Sequence, residues 1–160
     1  SAAWAPMRPP LIASMAIGAA WIPIALRAPV LATVLIIAML VLSLIALFRA
    51  PATERAWVAG PVGLYAGWLT AASCVASATV VAGCGIGDAA LNSWVFLAIA
   101  CVVALVITRQ RATPVSYPIA GAWALVGIDV ANYSGAAIFA TAAAVGALAL
   151  ASQVSAKLRM

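Results

Sequence analysis

The sequence predicts an all-α integral membrane protein, a single bundle of about six transmembrane helices spanning residues 1–160. Three observations carry that expectation. The chain is 68% hydrophobic and only 7% charged, against about 25% charged residues in soluble domains. Its apolar residues fall in long runs broken by Pro, Gly and Arg. Its eight basic residues stand at the ends of those runs instead of gathering in a patch. That placement is what membrane topology produces, and it excludes a nucleic-acid partner despite the net charge of +5. No ten-residue alternation of apolar and polar residues suggests an outer-membrane barrel.

The spans follow in order. Residues 1–10 are Pro-rich and irregular. The first span covers 11–26, with Trp21 and Pro23 near its end. It is short and follows Arg8, as the core of a signal peptide would, but it lacks a small-residue cleavage site and reads as a retained helix. Arg27-Ala28-Pro29 is a tight turn. The second span, 30–48, is almost pure Leu, Ile and Val, and is expected to face lipid. Residues 49–57 form a polar loop with Glu54 beside Arg55. The third span is 58–82. A Gly-rich loop containing Asp88 leads to the fourth, 91–108. The fifth is 117–132, ending in Asp129 and Asn132. Tyr133-Ser134-Gly135 turns the chain into an Ala-rich sixth span, 136–152.

Six spans place Arg8, Arg49, Arg55, Arg109, Arg111, Lys157 and Arg159 on one side and Arg27 alone on the other. Basic residues mark the cytoplasmic side. Both ends of the chain are therefore expected in the cytoplasm. The first and fifth spans are shorter than the ~20 residues a crossing usually needs, which tilt or local thinning accommodates.

The third span is the expected organiser. Pro61 stands near its start, where a missing N–H costs nothing. Ala59, Gly63, Gly67 and Ala71 recur every four residues and make a smooth stripe that lets another helix approach closely. Gly121 and Gly127 give the fifth span the same character. Tyr65 and Trp68, three residues apart, project from nearly one face of the third span.

The chain holds no histidine. Classical zinc sites, His-ligated haem and His-based triads are excluded from it alone. Cys74, Cys84 and Cys101 form no CxxC pair, and the two within spans read as small core residues. Without a nucleophile–base pair, the sequence does not read as an enzyme.

The run Pro61-Val62-Gly63-Leu64-Tyr65-Ala66-Gly67-Trp68-Leu69-Thr70 resembles the TspO/MBR family, the tryptophan-rich sensory proteins. It is most similar to the longer bacterial members, which carry Pro-x-x-x-Tyr-x-Gly-Trp at this place. Tyr117-Pro118-Ile119-Ala120-Gly121-Ala122-Trp123-Ala124-Leu125-Val126-Gly127-Ile128 is similar to the family's later Tyr…Trp-Ala-x-x-Gly-Ile run. The resemblance covers roughly residues 44–128, and six tryptophans in so small a chain agree with it. Two features depart from the family. Ala76 stands where an Asn is usual, eight residues after Trp68. The family's first helix is not recognisable, so a leading helix is expected to be missing from this chain.

The resemblance implies a helical bundle with a cavity for tetrapyrroles, of porphyrin or chlorophyll type, held without a covalent link. It also implies a sensor or regulator of pigment metabolism and photosynthesis, set in the inner membrane of a bacterium. Such a ligand needs aromatic walls and a few polar groups at its rim. Tyr65, Trp68 and Trp123 are the aromatic candidates because they stand within spans and not at their ends. Trp57 and Trp94, at span ends, read as interface-belt residues. Asp129 is the one acid within an apolar span, which makes it a candidate by its cost alone. The alternative is a non-catalytic accessory subunit that packs its Ala/Gly-rich faces against a larger, pigment-binding membrane complex. The loss of Asn at Ala76 favours that alternative.

Overall fold

The computed structural model describes residues 4–51, 55–110, 113–132 and 137–158; within these, the side chains of residues 55, 56, 129, 131, 132, 137–140 and 155–158 lie outside the description. Six helices follow one another: α1 Arg8–Ala25, α2 Pro29–Phe48, α3 Gly60–Gly83, α4 Ala89–Thr108, α5 Ser116–Asn132 and α6 Ala137–Leu158. A π-helical turn, Arg55–Ala59, leads into α3. No strand is present among the described residues. The chain is an all-α membrane bundle, as the sequence predicts.

Local chemistry sets the boundaries. Prolines open α1, α2 and α3, where the first helical N–H groups have no partner to lose. Asp88 caps α4, its carboxylate accepting a hydrogen bond from Leu91 N at 2.9 Å. It is thus a helix cap and not merely a solvated loop residue. Gly85 and Gly87, both at φ 69°, make the turn before it, a conformation that favours glycine. Three expected boundaries shift. Helix α1 starts at Arg8, the π turn carries Trp57 into the entry of α3, and α6 runs on to Leu158 through good helix formers.

Pro29–Phe48, Trp57–Gly83 and Ala89–Thr108 are long and apolar enough to cross a membrane, and Ser116–Ile128 and Thr141–Val154 are shorter apolar helical stretches. Many large apolar side chains face outward, Ile22, Val34, Val102 and Leu148 among them. A bilayer is the solvent that tolerates such a surface.

Helix α3 is the hub, touching α2, α4 and α5, while α1 lies on α2 and α6 lies on α5 and α4. It divides two half-cores. On one side Ile36, Met39 and Leu69 pack with Ile17, Trp21 and Tyr65. On the other, Leu97, Ala104, Leu125, Ala143, Ala147 and Leu150 interdigitate. A third cluster joins Met7, Leu47, Val62, Ile107 and Tyr117. It gathers the starts of α1, α3 and α5 with the ends of α2 and α4, so the helices alternate in direction. Arg8, Arg49 and Arg109 stand at this end, which we call the basic end.

The expectation that the second span faces lipid needs correction. Ala32, Ile36, Met39, Ser43, Ala46 and Leu47 form a buried stripe on α2, and Leu40 packs against the α1–α2–α3 cluster. Only the opposite stripe, including Val30, Val34, Ile37 and Val41, is exposed. Helix α2 is sandwiched between α1 and α3, and Leu, Ile and Val suit either neighbour.

Candidate functional site

The glycine stripe of α3 meets the start of α5. A Cβ on Gly63 would lie 2.5 Å from Ser116 Oγ and 2.6 Å from Pro114 Cγ. One on Gly67 would lie 2.5 Å from the Tyr117 carbonyl oxygen and 2.9 Å from Ala120 Cβ. Only hydrogen fits at these two positions. Gly121 faces α6, its would-be Cβ 3.1 Å from Leu150 Cδ1. Gly127 departs from the packing role expected of it, because nothing stands within 4 Å of its would-be Cβ. Gly146, which the sequence reading passed over, sits against Cys101 Sγ and Leu125.

Two hydroxyl relays fasten the helices beside this contact. Thr70 Oγ1 donates to the Ala66 carbonyl at 2.9 Å and lies 2.8 Å from Tyr117 Oη. A hydroxyl has one proton, so Tyr117 donates to Thr70. Ser14 Oγ donates to the Met39 carbonyl at 2.9 Å and lies 3.0 Å from Tyr65 Oη. By the same count, Tyr65 donates to Ser14. The first relay ties α5 to α3, and the second ties α3 to α1 and α2. Trp21 adds a third tie, donating to the Ala32 carbonyl at 2.9 Å. Ser14 and Thr70, isolated hydroxyls within apolar runs, were the sequence signal for these ties.

The three aromatic ligand candidates do not come together. Tyr65 is spent on Ser14 within the α1–α2–α3 cluster. Trp68 is 51% exposed on the outside of α3. Trp123 is 76% exposed and lines a shallow groove of about 320 Å³ with Ala151 and Val154 of α6. The side chain of Asp129 lies outside the described residues, as do those of Glu54 and Asn132. Geometry explains the separation. On α5, Tyr117, Gly121, Ala124 and Ile128 share the inner face, and at 100° per residue Trp123 points about 120° away from Tyr117. Trp57, 89% exposed, stands at the entry of α3 where a belt residue belongs.

The bundle's main cavity is elsewhere. A cleft of about 620 Å³ separates the second half of α3 from α4 and α5. Cys74, Val75, Ala78, Thr79 and Ala82 line it from α3. Ala89, Ser93, Phe96 and Leu97 line it from α4, and Ala124, Leu125, Gly127 and Ile128 from α5. Ala71 stands at its inner edge, on the wall of this cleft and of a second cavity of about 10 Å³ beside Thr70 and Tyr117. The cleft is a wedge. Helices α3 and α5 touch where a Cβ on Gly67 would lie 2.9 Å from Ala120 Cβ, whereas nothing stands within 4 Å of a Cβ on Gly127, two turns further along the same face of α5. The cleft's walls reach Ala82 and Ala89, at the end opposite the basic one. Sequence reasoning missed it because small and aliphatic residues make most of its walls, with Phe96 the one ring among the described lining residues.

These features define an α-helical integral membrane protein, with a central helix locked to its neighbours at one end and an apolar cleft at the other. The sequence profile of the family described as TSPO-like protein matches residues 1–155, and the chain belongs to that family. No curated protein and no solved structure matches it significantly. Ala76, where the family resemblance leads one to look for Asn, packs toward α2 and not into the cleft.

Proposed function

We propose that this chain is a non-catalytic TspO-type membrane protein, a sensor or regulator that holds a flat apolar ligand in the α3–α4–α5 cleft. A tetrapyrrole is the class the family resemblance brings. The cleft carries the reading. Its volume of about 620 Å³ falls within the range of small-molecule sites, about 300–1,000 Å³, and its walls are apolar with a few hydroxyls. Phe96 is its aromatic wall among the described residues. Asp129, next to the lining residue Ile128 on α5, stays a candidate for its rim. The proposed setting is a bacterial inner membrane with both ends of the chain cytoplasmic, from the gathering of basic residues at one end of the bundle.

The test is titration of the purified protein in detergent with a neutral porphyrin, read as quenching of tryptophan emission. Saturable quenching is expected. Ala78→Phe together with Gly127→Phe should abolish it, while Trp68→Ala and Trp123→Ala should leave the affinity within about two-fold, since neither ring lines the cleft. Absence of saturable quenching in the parent protein rejects the ligand reading. The accessory-subunit reading would then stand, because a wedge walled by Ala and Gly also admits an apolar helix of a larger membrane complex.

A further inference from the structure

We infer that the cleft selects uncharged ligands and rejects carboxylates, an inference that rests on the proposal that the cleft binds a ligand at all. No charged side chain lines the cleft among the described residues. Its polar side chains are two hydroxyls, whose protons are already committed, and the Cys74 thiol, only a weak donor. Thr79 Oγ1 donates to the Val75 carbonyl at 2.9 Å, and Ser93 Oγ donates to the Ala89 carbonyl at 3.0 Å. Each hydroxyl therefore offers a ligand a lone pair and no proton. Such groups suit a ligand N–H or O–H and repel a carboxylate oxygen.

The backbone field has the same sign. Two of the three lining helices, α3 and α5, finish at the end of the bundle that the cleft reaches, and helix C-termini carry partial negative charge. The third, α4, presents its N-terminus there, but the Asp88 carboxylate already occupies it. Asp129, at the same end of α5, can add only negative charge. Of the eight basic residues, Arg27 alone belongs to this end of the bundle by chain position, and it is not among the lining residues. A carboxylate carried into the wedge would lose its water and gain no cation, which is costly in an apolar site. The ligand class is thus a neutral, mainly apolar molecule whose polar groups, where present, are hydrogen-bond donors.

The experiment compares protoporphyrin IX with its dimethyl ester, which share a macrocycle and differ in two carboxylates. Both are titrated against the full chain in nanodiscs of phosphatidylcholine. The ester should bind about ten-fold tighter or more. Ala82→Lys puts a cation on the last turn of α3, where the helix end favours it, and should narrow or invert the preference. Ala89→Arg, at an exposed lining position, should act in the same direction should Ala82→Lys fold poorly. A selectivity arising only from partitioning into lipid would not respond to either variant, and that outcome overturns the inference. Equal or tighter binding of the diacid by the parent also overturns it while leaving the ligand reading intact. Binding of neither compound removes the ligand reading and this inference with it.

Discussion

The two halves of α3 behave as different structures. Every buried residue of the helix, Val62, Gly63, Ala66, Gly67, Leu69, Thr70 and Ser73, lies at or before Ser73. There α5 approaches until only glycine fits, the Tyr117–Thr70 relay fixes that contact, and the Tyr65–Ser14 relay ties the same stretch to α1 and α2. From Cys74 onward no residue of α3 is buried, and α5 draws away from it to leave the cleft. One continuous apolar helix thus serves as a clamp at one end and a wall at the other. The difference is made by small residues in both halves. Glycine opposite a backbone closes the bundle; alanine opposite a diverging helix leaves it open.

The largest effect should come from breaking the clamp. Gly67→Leu places a branched side chain where even a Cβ would lie 2.5 Å from the Tyr117 carbonyl oxygen. The obstacle is backbone, so α5 itself must move. Overpacking of this kind typically costs about 1–3 kcal/mol and occasionally more. Thermal unfolding in detergent should show a large fall in Tm, whereas Ala78→Leu, on the cleft wall, should leave Tm nearly unchanged. Equal tolerance at the two positions would end the distinction between the halves.

A smaller effect should follow from removing one relay. Tyr117 is fully buried, and Tyr117→Phe deletes its donated proton while keeping the ring. Thr70 keeps its bond to the Ala66 carbonyl, so no donor is orphaned. Hydrogen bonds between membrane helices average about 0.6 kcal/mol, and the loss should be of that order. Chemical denaturation in mixed micelles can resolve it. A loss as large as that of Gly67→Leu would mean that the relay, and not close approach, holds the clamp.

These contrasts also show what the sequence could and could not reveal. The helices were legible because Pro, Gly and Arg punctuate apolar runs. The hub role of α3 was legible because Gly63 and Gly67 make a stripe that has few other uses. Facing was not legible. In water, polar residues mark the outside of a helix; in lipid, apolar residues serve both sides. Trp68 and Trp123 stand mid-span, and depth along the helix was taken for depth within the bundle. Both rings instead point outward. The cleft left no mark either, since it arises from the divergence of α3 and α5, a tertiary property that no single helix encodes. Gly67 and Gly127 look alike in sequence, and only the structure separates them.

That pair supplies the smallest and most discriminating measurement, a Gly→Ala series. At Gly67 the added methyl meets a carbonyl oxygen at 2.5 Å, and neither group is the flexible end of a side chain. At Gly121 it meets Leu150 Cδ1 at 3.1 Å, and a leucine methyl can swing aside at small cost. At Gly127 it meets nothing within 4 Å. Alanine is the better helix former by about 0.8–1.0 kcal/mol in water. In lipid the helical backbone is already enforced by the lack of other hydrogen-bond partners, so only a fraction of that gain should remain. Gly127→Ala should therefore change stability by no more than about 0.5 kcal/mol, on the stabilising side. Gly121→Ala should be mildly destabilising and Gly67→Ala clearly so. A Gly127→Ala variant as unstable as Gly67→Ala would mean that a helix occupies the wedge in the folded protein, and the contrast between clamp and cleft would be lost.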